Sequence, residues 1–380
     1  MKELILTNAR LVLASEVING TLTIANGVIT SIDHGNVSTP SAIDLEGQYL
    51  LPGLVELHTD NLEKHFTPRP KVTWPGQPAV IAHDAQLVAA GITTVFDAIS
   101  LGDVNENSQR LENLKAMVEA ITNASKDELL RAEHLLHLRC EVSNENVVHL
   151  FEEMLASQKV HLVSLMDHSP GQRQFTKMDK YRIYYQGKYN FNDAELEAFM
   201  IREKENSARY SDKNRRKIVS LCQSRDIPMA SHDDATLAHV EESSGFGMTI
   251  AEFPTTFAAA KSSHEKGMKV LMGAPNVVRG GSHSGNIAAH ELAEKGVLDI
   301  LSSDYCPASI LHAAFILENL ENDYDLSKAI NTVSLNPARS AGLYDRGELA
   351  AGKRADMIQV KLFKQMPVVN QAWRQGRRIF

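Results

Sequence analysis

Eight short apolar runs, each followed by a longer polar or helical segment, constrain the fold of this chain most strongly. Between the runs, residues such as Leu111, Leu114 and Val118 recur at helical spacing. Strands that alternate with helices favour a parallel sheet of βα units, and eight units over roughly 290 residues match a TIM barrel in number and size. The runs are residues 50–58, 91–99, 135–143, 160–169, 227–233, 248–254, 269–276 and 299–305.

The two ends of the chain have a different pattern. Residues 2–13 and 20–33 alternate apolar and polar side chains, and the pair Asn26-Gly27 favours a tight hairpin. After Asn336-Pro337, glycine-rich turns and an apolar strand restore this all-β character. We therefore expect an α/β fold in which both termini pair in a small β-sandwich domain beside the barrel. The expected limits are residues 1–50 and 341–380 for the β domain and 51–340 for the barrel.

Charge and cysteine content narrow the expected partners and location. The 380-residue chain has a formal net charge of -8 at pH 7, so its surface as a whole should not attract nucleic acid or anionic lipid. Its three cysteines lack CxxC spacing, which argues against a disulfide framework or a thiolate zinc site. The N-terminus lacks a signal-peptide core, and no long apolar run spans a membrane. We expect a cytoplasmic protein without nucleic-acid or membrane partners, and homo-oligomerisation is left open.

Ionisable residues follow the predicted strands at one end. His58 and Asp60 are two positions apart after the first run, so both side chains project from one strand face. An imidazole and a carboxylate at this spacing can bind one divalent cation, although such a pair alone is more often a turn feature. A TIM barrel builds its active site at the C-terminal strand ends, so recurrence there indicates a metal centre. The other groups are Glu141, Asp167-His168, His232-Asp233-Asp234, Glu252 and Ser303-Asp304.

Four segments carry a resemblance to a known family. They are "LPGLVELHTD" at residues 51–60, "SHDD" at 231–234, "SSDY" at 302–305 and "NPARSAGLYDRGELAAGKRADMIQV" at 336–360. Together they resemble the amidohydrolase superfamily of metal-dependent hydrolases, and the likeness covers essentially the whole chain. The resemblance implies metal ligands on strands one, five and eight of the barrel. These ligands are His58, Asp60, His232 and Asp304.

The chain departs from the superfamily pattern at three strands. Asp60 replaces the second histidine of strand one, which makes Mn²⁺ as suitable as Zn²⁺. No lysine ends the fourth run, so we expect Glu141 and His168 to complete the ligand set, with Glu252 as a further candidate on strand six. Two cations bound there would lower the pKa of a shared water and neutralise an oxyanion. Asp304 is the expected proton acceptor, unless it caps the following helix.

Basic and glycine-rich segments beyond the strand ends indicate a phosphorylated small-molecule substrate. Arginine suits such a ligand because it can bind phosphate through two hydrogen bonds. In residues 279–286, three glycines allow backbone N–H groups to approach a phosphate, although an ordinary flexible loop is the alternative. His283 in this segment is a candidate general acid. The candidate substrate-binding residues are Lys64, His65, Arg69, Arg173, Lys188, Arg279 and Ser282.

Three further segments resemble one branch of the superfamily. "HTDNLEKHFTPRP" at 58–70, "DHSPGQRQF" at 167–175 and "GAPNVVRGGSHSGN" at 273–286 look like the phosphonate-metabolism diphosphatases of the carbon-phosphorus lyase pathway. This resemblance implies cleavage of the phosphoanhydride of ribose 1-methylphosphonate 5-triphosphate to the 5-phosphate and pyrophosphate. The alternatives are a C–N hydrolase, such as a cyclic amidase or amino-sugar deacetylase, and a non-catalytic scaffold. The retained ligand residues argue against the scaffold.

Overall fold

A computed structural model of the chain describes residues 3–69, 72–102, 109–175, 178–282, 285–320 and 324–380. Its N-terminal strands are β1 (Leu4–Val12), β2 (Val17–Ala25), β3 (Val28–His34), β4 (Ala42–Asp44) and β5 (Tyr49–Pro52). Strand β2 pairs antiparallel with both β1 and β3, whereas β4 and β5 pair parallel with β1. Asn26 and Gly27 turn the chain between β2 and β3 with φ of 55° and 78°. The predicted tight hairpin is therefore confirmed.

Eight parallel strands of the described chain form the barrel. Each strand pairs with the next in sequence, and the chain after the last strand pairs with the first: the Asp304 N–H donates to the His58 carbonyl oxygen over 3.1 Å. The predicted TIM barrel is confirmed, and each strand overlaps one of the eight apolar runs. The strands are β6 (Leu54–Thr59), β7 (Ile92–Leu101), β8 (Glu133–Glu141), β9 (Val160–Met166), β10 (Met229–His232), β11 (Ile250–Glu252), β12 (Lys269–Gly273) and β13 (Ile300–Ser302).

Helices surround the barrel. They are α1 (Asn61–Phe66), α2 (Gly76–Ala89), α3 (Gln109–Lys126), α4 (Val147–Ser157), α5 (Met178–Tyr189), α6 (Asp193–Gln223), α7 (Leu237–Gly245), α8 (Phe257–Glu265), α9 (Ala274–Arg279), α10 (Ala289–Glu294), α11 (Ser309–Glu318), α12 (Leu326–Asn331) and α13 (Leu335–Ser340), with a 3₁₀ turn at Arg173–Phe175. Asn192 caps α6, because its side chain accepts a hydrogen bond from the Glu195 N–H. Within the described ranges, no helix is both long enough and apolar enough to cross a membrane.

The C-terminal strands complete the terminal sheet. They are β14 (Met357–Phe363), β15 (Met366–Arg374) and β16 (Arg377–Arg378). Strand β14 pairs antiparallel with β5, which joins the two ends of the chain in one mixed sheet. The buried Trp373 packs in its core with Leu6 and Leu22. The small β domain formed by both termini is thus confirmed, whereas the domain limits stay a prediction.

Side chains inside the barrel change from apolar to polar along the strands. One buried apolar cluster takes residues from all eight strands and fills the barrel interior near their starts. Because side chains alternate with period two, the next inward position lies two residues further on. That position changes from Ala230 to His232 in β10, from Ile250 to Glu252 in β11 and from Ile300 to Ser302 in β13. The strand ends therefore present polar groups at one mouth of the barrel.

Candidate active site

A pocket of about 310 Å³ lies at the C-terminal ends of the barrel strands. Its lining residues come from strands that are far apart in sequence, and they include all six metal ligands predicted from the sequence. The structure thus brings together the side chains on which a metal centre would depend. The six are His58, Asp60, Glu141, His168, His232 and Asp304. Their role as ligands stays a prediction.

Backbone irregularities help to place these side chains. The pairing of β6 with β7 shifts register between Glu56 and Thr59, and a bulge of this kind re-aims the side chains beside it. Asp233, Phe253 and Asp304 lie one or two residues after three of the strands and have φ of 57°, 52° and 52°. Few residues other than glycine adopt this left-handed conformation, and it occurs preferentially at functional sites. All three residues line the pocket.

His58, His232 and Glu252 form a buried group that could hold a divalent cation. One ligand atom from each lies within 4.8 Å of the others. His58 Nδ1 is 3.1 Å from Glu252 Oε1, yet neither atom, nor His232 Nε2, has a hydrogen-bond partner in the described residues. Burying such atoms unpaired costs about 1–3 kcal/mol each, so a shared cation fits them. Burial also lowers the pKa of His58, which keeps its imidazole in the neutral form that binds metal.

A second group lies beside the first and shares one histidine with it. Ligand atoms of His168, His232 and Asp233 also lie within 4.8 Å of one another. Glu141 contacts the other side of His168, with 2.6 Å between Glu141 Oε2 and His168 Nδ1. Burial lowers the pKa of His168, but the carboxylates of Glu141 and Asp233 outweigh this effect, so the pKa is raised above its ordinary value. In this geometry Glu141 orients His168. The third ligand atom comes from Asp233, to which the sequence analysis assigned no role.

Asp304 faces another carboxylate in the pocket. Burial raises the pKa of Asp304 to about 7, and the negative charge of Asp60 adds to the rise. Two acidic side chains that repel each other in a buried space are typical of a cation site. The alternative role of Asp304 as a helix cap does not apply, because α11 begins at Ser309 with Ala308 at its N-cap.

Glu56 forms hydrogen bonds that hold β6, the strand that carries His58, against the end of β13. Its buried carboxylate accepts hydrogen bonds from the His58 N–H (2.7 Å), the Ser302 hydroxyl (2.7 Å) and the Ser303 N–H (2.6 Å). These bonds connect β6 to β13 just below Asp304. Burial raises the pKa of Glu56 to about 7 despite them. Sequence reasoning missed this residue, although a glutamate within an apolar run was the available signal.

Another buried cluster outside the pocket is already paired. His83, Asp97 and His134 also satisfy the spacing for a cation. Here, however, Asp97 Oδ1 lies 2.9 Å from His83 Nε2, and Asp97 Oδ2 lies 2.7 Å from His134 Nδ1. Asn61, which follows Asp60, places its amide nitrogen 3.1 Å from His83 Nδ1. Because its atoms are paired with one another and none of its three residues lines the pocket, we assign this cluster a structural role.

The predicted substrate-binding residues occupy different environments. Arg279 and Ser282 line the pocket. Lys64 lies beside the pocket residue Tyr305, with its ammonium against the Tyr305 backbone oxygen and 5.3 Å from the ring centre. His65 is not among the lining residues, and its Nε2 lies 3.0 Å from Gln86 Oε1.

Arg69 does not line the pocket in the described structure. Arg69 is exposed after α1, and its carbonyl oxygen accepts a hydrogen bond from the Val72 N–H. Lys188 belongs to α5. His283, the candidate general acid, lies outside the described residues. The tyrosines that precede Lys188 do reach the pocket, because Tyr184 and Tyr185 line it.

Arg173 is buried in an ion-pair network instead of lining the pocket. Its guanidinium contacts Asp234 and lies 2.8 Å from Glu242 Oε2. We expect the Arg173→Met variant to lose about 3 kcal/mol of unfolding free energy, because the buried Asp234 carboxylate loses its partner. Denaturant unfolding and steady-state kinetics would be measured together. An unchanged stability with a raised KM would instead place Arg173 at the substrate.

The chain matches known proteins over nearly its whole length. A family model described as "Amidohydrolase family" matches residues 79–377. The alpha-D-ribose 1-methylphosphonate 5-triphosphate diphosphatase of Escherichia coli (strain K12) is 52% identical over 378 residues, which cover 99% of this chain and 100% of that protein.

Solved structures with low sequence identity share the fold. The 5-methylcytosine deaminase of Klebsiella pneumoniae, liganded with 5-fluorocytosine, superposes with a TM-score of 0.67 at 15% identity, over 100% of this chain and 97% of its own. The N-acetyl-D-glucosamine-6-phosphate deacetylase of Mycobacterium smegmatis gives 0.63 at 16% identity, over 99% and 100%. The family match over residues 79–377 and the 52% identical relative show that the chain belongs to the amidohydrolase family.

Proposed function

We propose that the chain is a metal-dependent diphosphatase that hydrolyses alpha-D-ribose 1-methylphosphonate 5-triphosphate to the 5-phosphate and pyrophosphate. The observation that carries the proposal is the 52% identity, along both full lengths, to the relative that bears the name of this activity. The pocket supports it, because it combines candidate metal ligands with cationic side chains suited to a polyphosphate. A phosphorylated ribose is thus the proposed partner, and the cytoplasmic location stays a prediction.

The candidate ligands form two groups around one histidine. His58, His232 and Glu252 would hold one divalent cation, and His168 and Asp233, which lie beside them, would contribute ligands to a second. Asp60 and Asp304 lie at the same pocket and add carboxylate oxygens, which suit Mn²⁺ as well as Zn²⁺. When bound, such cations make water a stronger nucleophile and offset negative charge that develops on phosphate oxygens.

Asp304 is the proposed proton carrier. Its carboxylate accepts one proton from the water that attacks the α-phosphorus. The water oxygen forms the new bond to that phosphorus, and the bond from the phosphorus to the bridging oxygen breaks, so the electron pair leaves with pyrophosphate. Asp304 then gives its proton to the departing oxygen, while the second water proton stays on the new 5-phosphate until it exchanges with solvent.

Arg279 is expected to contribute to substrate binding more than to chemistry. It lies exposed at the end of α9 on the pocket lining, where it can contact the substrate equally before and during reaction. The Arg279→Ala variant should raise KM about tenfold or more and change kcat little. Steady-state kinetics would be compared with Arg216→Ala, an exposed arginine on α6 that pairs with Asp212. A large fall in kcat at unchanged KM would contradict this assignment.

The proposed reaction is tested by supplying the purified enzyme with the ribose triphosphate while pyrophosphate release is followed. Dihydropyrimidines and N-acyl amino sugars would be assayed in parallel for free amine. We expect pyrophosphate from the triphosphate and no amine from the other compounds. Amine release without pyrophosphate would contradict the proposal and favour a C–N hydrolase.

A further inference from the structure

Arg139 differs from every other buried arginine that the structure describes. The described arginines that are buried are Arg139, Arg173, Arg215 and Arg346. The other three each place a guanidinium nitrogen 3.1 Å or less from a carboxylate oxygen. The nearest ion pair of Arg139 is 4.0 Å long, from Nη1 to Asp60 Oδ2, and its Nε has no hydrogen-bond partner within the described ranges. Arg139 therefore has no close ion pair among the described residues, and its guanidinium can still donate hydrogen bonds to an anion that is not part of the chain.

The position of Arg139 indicates where that anion binds. It stands two residues before Glu141 on β8, with 11% of its side chain exposed, and it lines the pocket. Strand β8 is the third of the barrel and β12 is the seventh, so the two lie on opposite sides of the ring. Arg279 ends the helix directly after β12 and also lines the pocket. The two arginines therefore line the pocket from opposite sides of the barrel, one buried and one exposed.

The charge of Arg139 acts on the same carboxylates that would hold the cations. Burial raises the pKa of Glu252, and the Arg139 guanidinium opposes the rise. It likewise opposes the rise of the Asp304 pKa that burial and Asp60 produce. The 4.0 Å ion pair with Asp60, itself a candidate ligand, likewise places this positive charge beside the candidate metal site.

We propose that Arg139 binds the terminal pyrophosphoryl part of the substrate and stabilises pyrophosphate as it leaves. This assignment rests on the proposed function. The guanidinium can donate two parallel hydrogen bonds to phosphate oxygens, and it offsets the charge that the bridging oxygen gains when its bond to the α-phosphorus breaks. Arg279, at the exposed side, binds the part of the substrate that stays as the 5-phosphate. The two arginines thus contact opposite sides of the cleaved bond.

The test compares Arg139→Met and Arg139→Lys with Arg216→Met, a change of the same kind on an exposed helix face. Inorganic pyrophosphate is the probe, and its affinity is measured both by calorimetry and as product inhibition. Arg139→Met should weaken pyrophosphate binding about tenfold or more and lower kcat about a hundredfold. Arg139→Lys should fall between it and the wild type, because a lysine keeps the charge but loses the planar fork. Arg216→Met should match the wild type.

Metal analysis of each variant separates substrate binding from support of the metal site. We expect Arg139→Met to retain the metal content of the wild type. Unchanged pyrophosphate affinity in this variant would overturn the proposal. The proposal would also be overturned if the variant lost metal and if adding the metal back restored its pyrophosphate affinity. Should Arg139→Met fail to fold, wild-type affinity in Arg139→Lys would overturn it equally. A wild type that binds pyrophosphate through Arg139 but releases none from the triphosphate would instead refute the proposed function alone.

Discussion

The His232→Ala variant should lose turnover by about a thousandfold or more, because a metal centre contributes several kcal/mol to catalysis. His232 belongs to both groups of candidate ligands, so its removal leaves neither with three side chains. Its ring lies 5.6 Å from that of His58 and 5.8 Å from that of His168, which places it between them. The loss should therefore exceed that of any single substrate contact.

Two measurements on this variant show the cause of the loss. Metal content, determined by mass spectrometry of the purified protein, should fall together with kcat, while the unfolding temperature measured after metal removal should match that of the wild type. His149→Ala is a suitable control, because this histidine lies on α4 with 75% of its side chain exposed. Full turnover in His232→Ala would remove His232 from the active site.

The Asp304→Asn variant should lower kcat about a hundredfold to ten-thousandfold, the usual contribution of a general acid or base. An asparagine keeps the size of the side chain and tolerates the left-handed backbone at this position, where φ is 52°. The backbone bonds of Asp304, to the His58 carbonyl oxygen and from the Thr59 hydroxyl, need no carboxylate. The substitution therefore removes the proton acceptor and leaves the strand junction intact.

Steady-state kinetics would separate chemistry from binding in this variant. We expect KM to change by less than about threefold, since the lost proton transfer belongs to the transition state. Asp127→Asn, at an exposed position after α3, should behave as the wild type. A wild-type kcat in Asp304→Asn would show that another group accepts the proton.

The barrel was predictable because its signals are local. Each strand coincides with an apolar run, since strands buried on both faces need apolar side chains throughout. The Asn26-Gly27 hairpin and the Asn192 cap also depend on residues within a few positions of each other. The six predicted ligands reached one pocket because parallel barrel strands all end at the same mouth.

The roles of individual polar residues were less predictable, because they depend on partners far away in sequence. Arg173 and Arg139 are both buried, yet Arg173 contacts Asp234 and Glu242 closely, whereas the nearest ion pair of Arg139, with Asp60, is 4.0 Å long. Nothing within a few residues of either arginine distinguishes these two outcomes. Glu141 likewise became a partner of His168 through a contact between neighbouring strands, which residue spacing does not specify.

Anomalous diffraction from crystals soaked in Mn²⁺ would test most directly whether these side chains meet around cations. We expect an anomalous peak about 2.0–2.3 Å from His232 Nε2, at coordination distance also from His58 and Glu252. Manganese bound at other positions, with no peak among these three side chains, would contradict the metal centre and the hydrolytic function built on it.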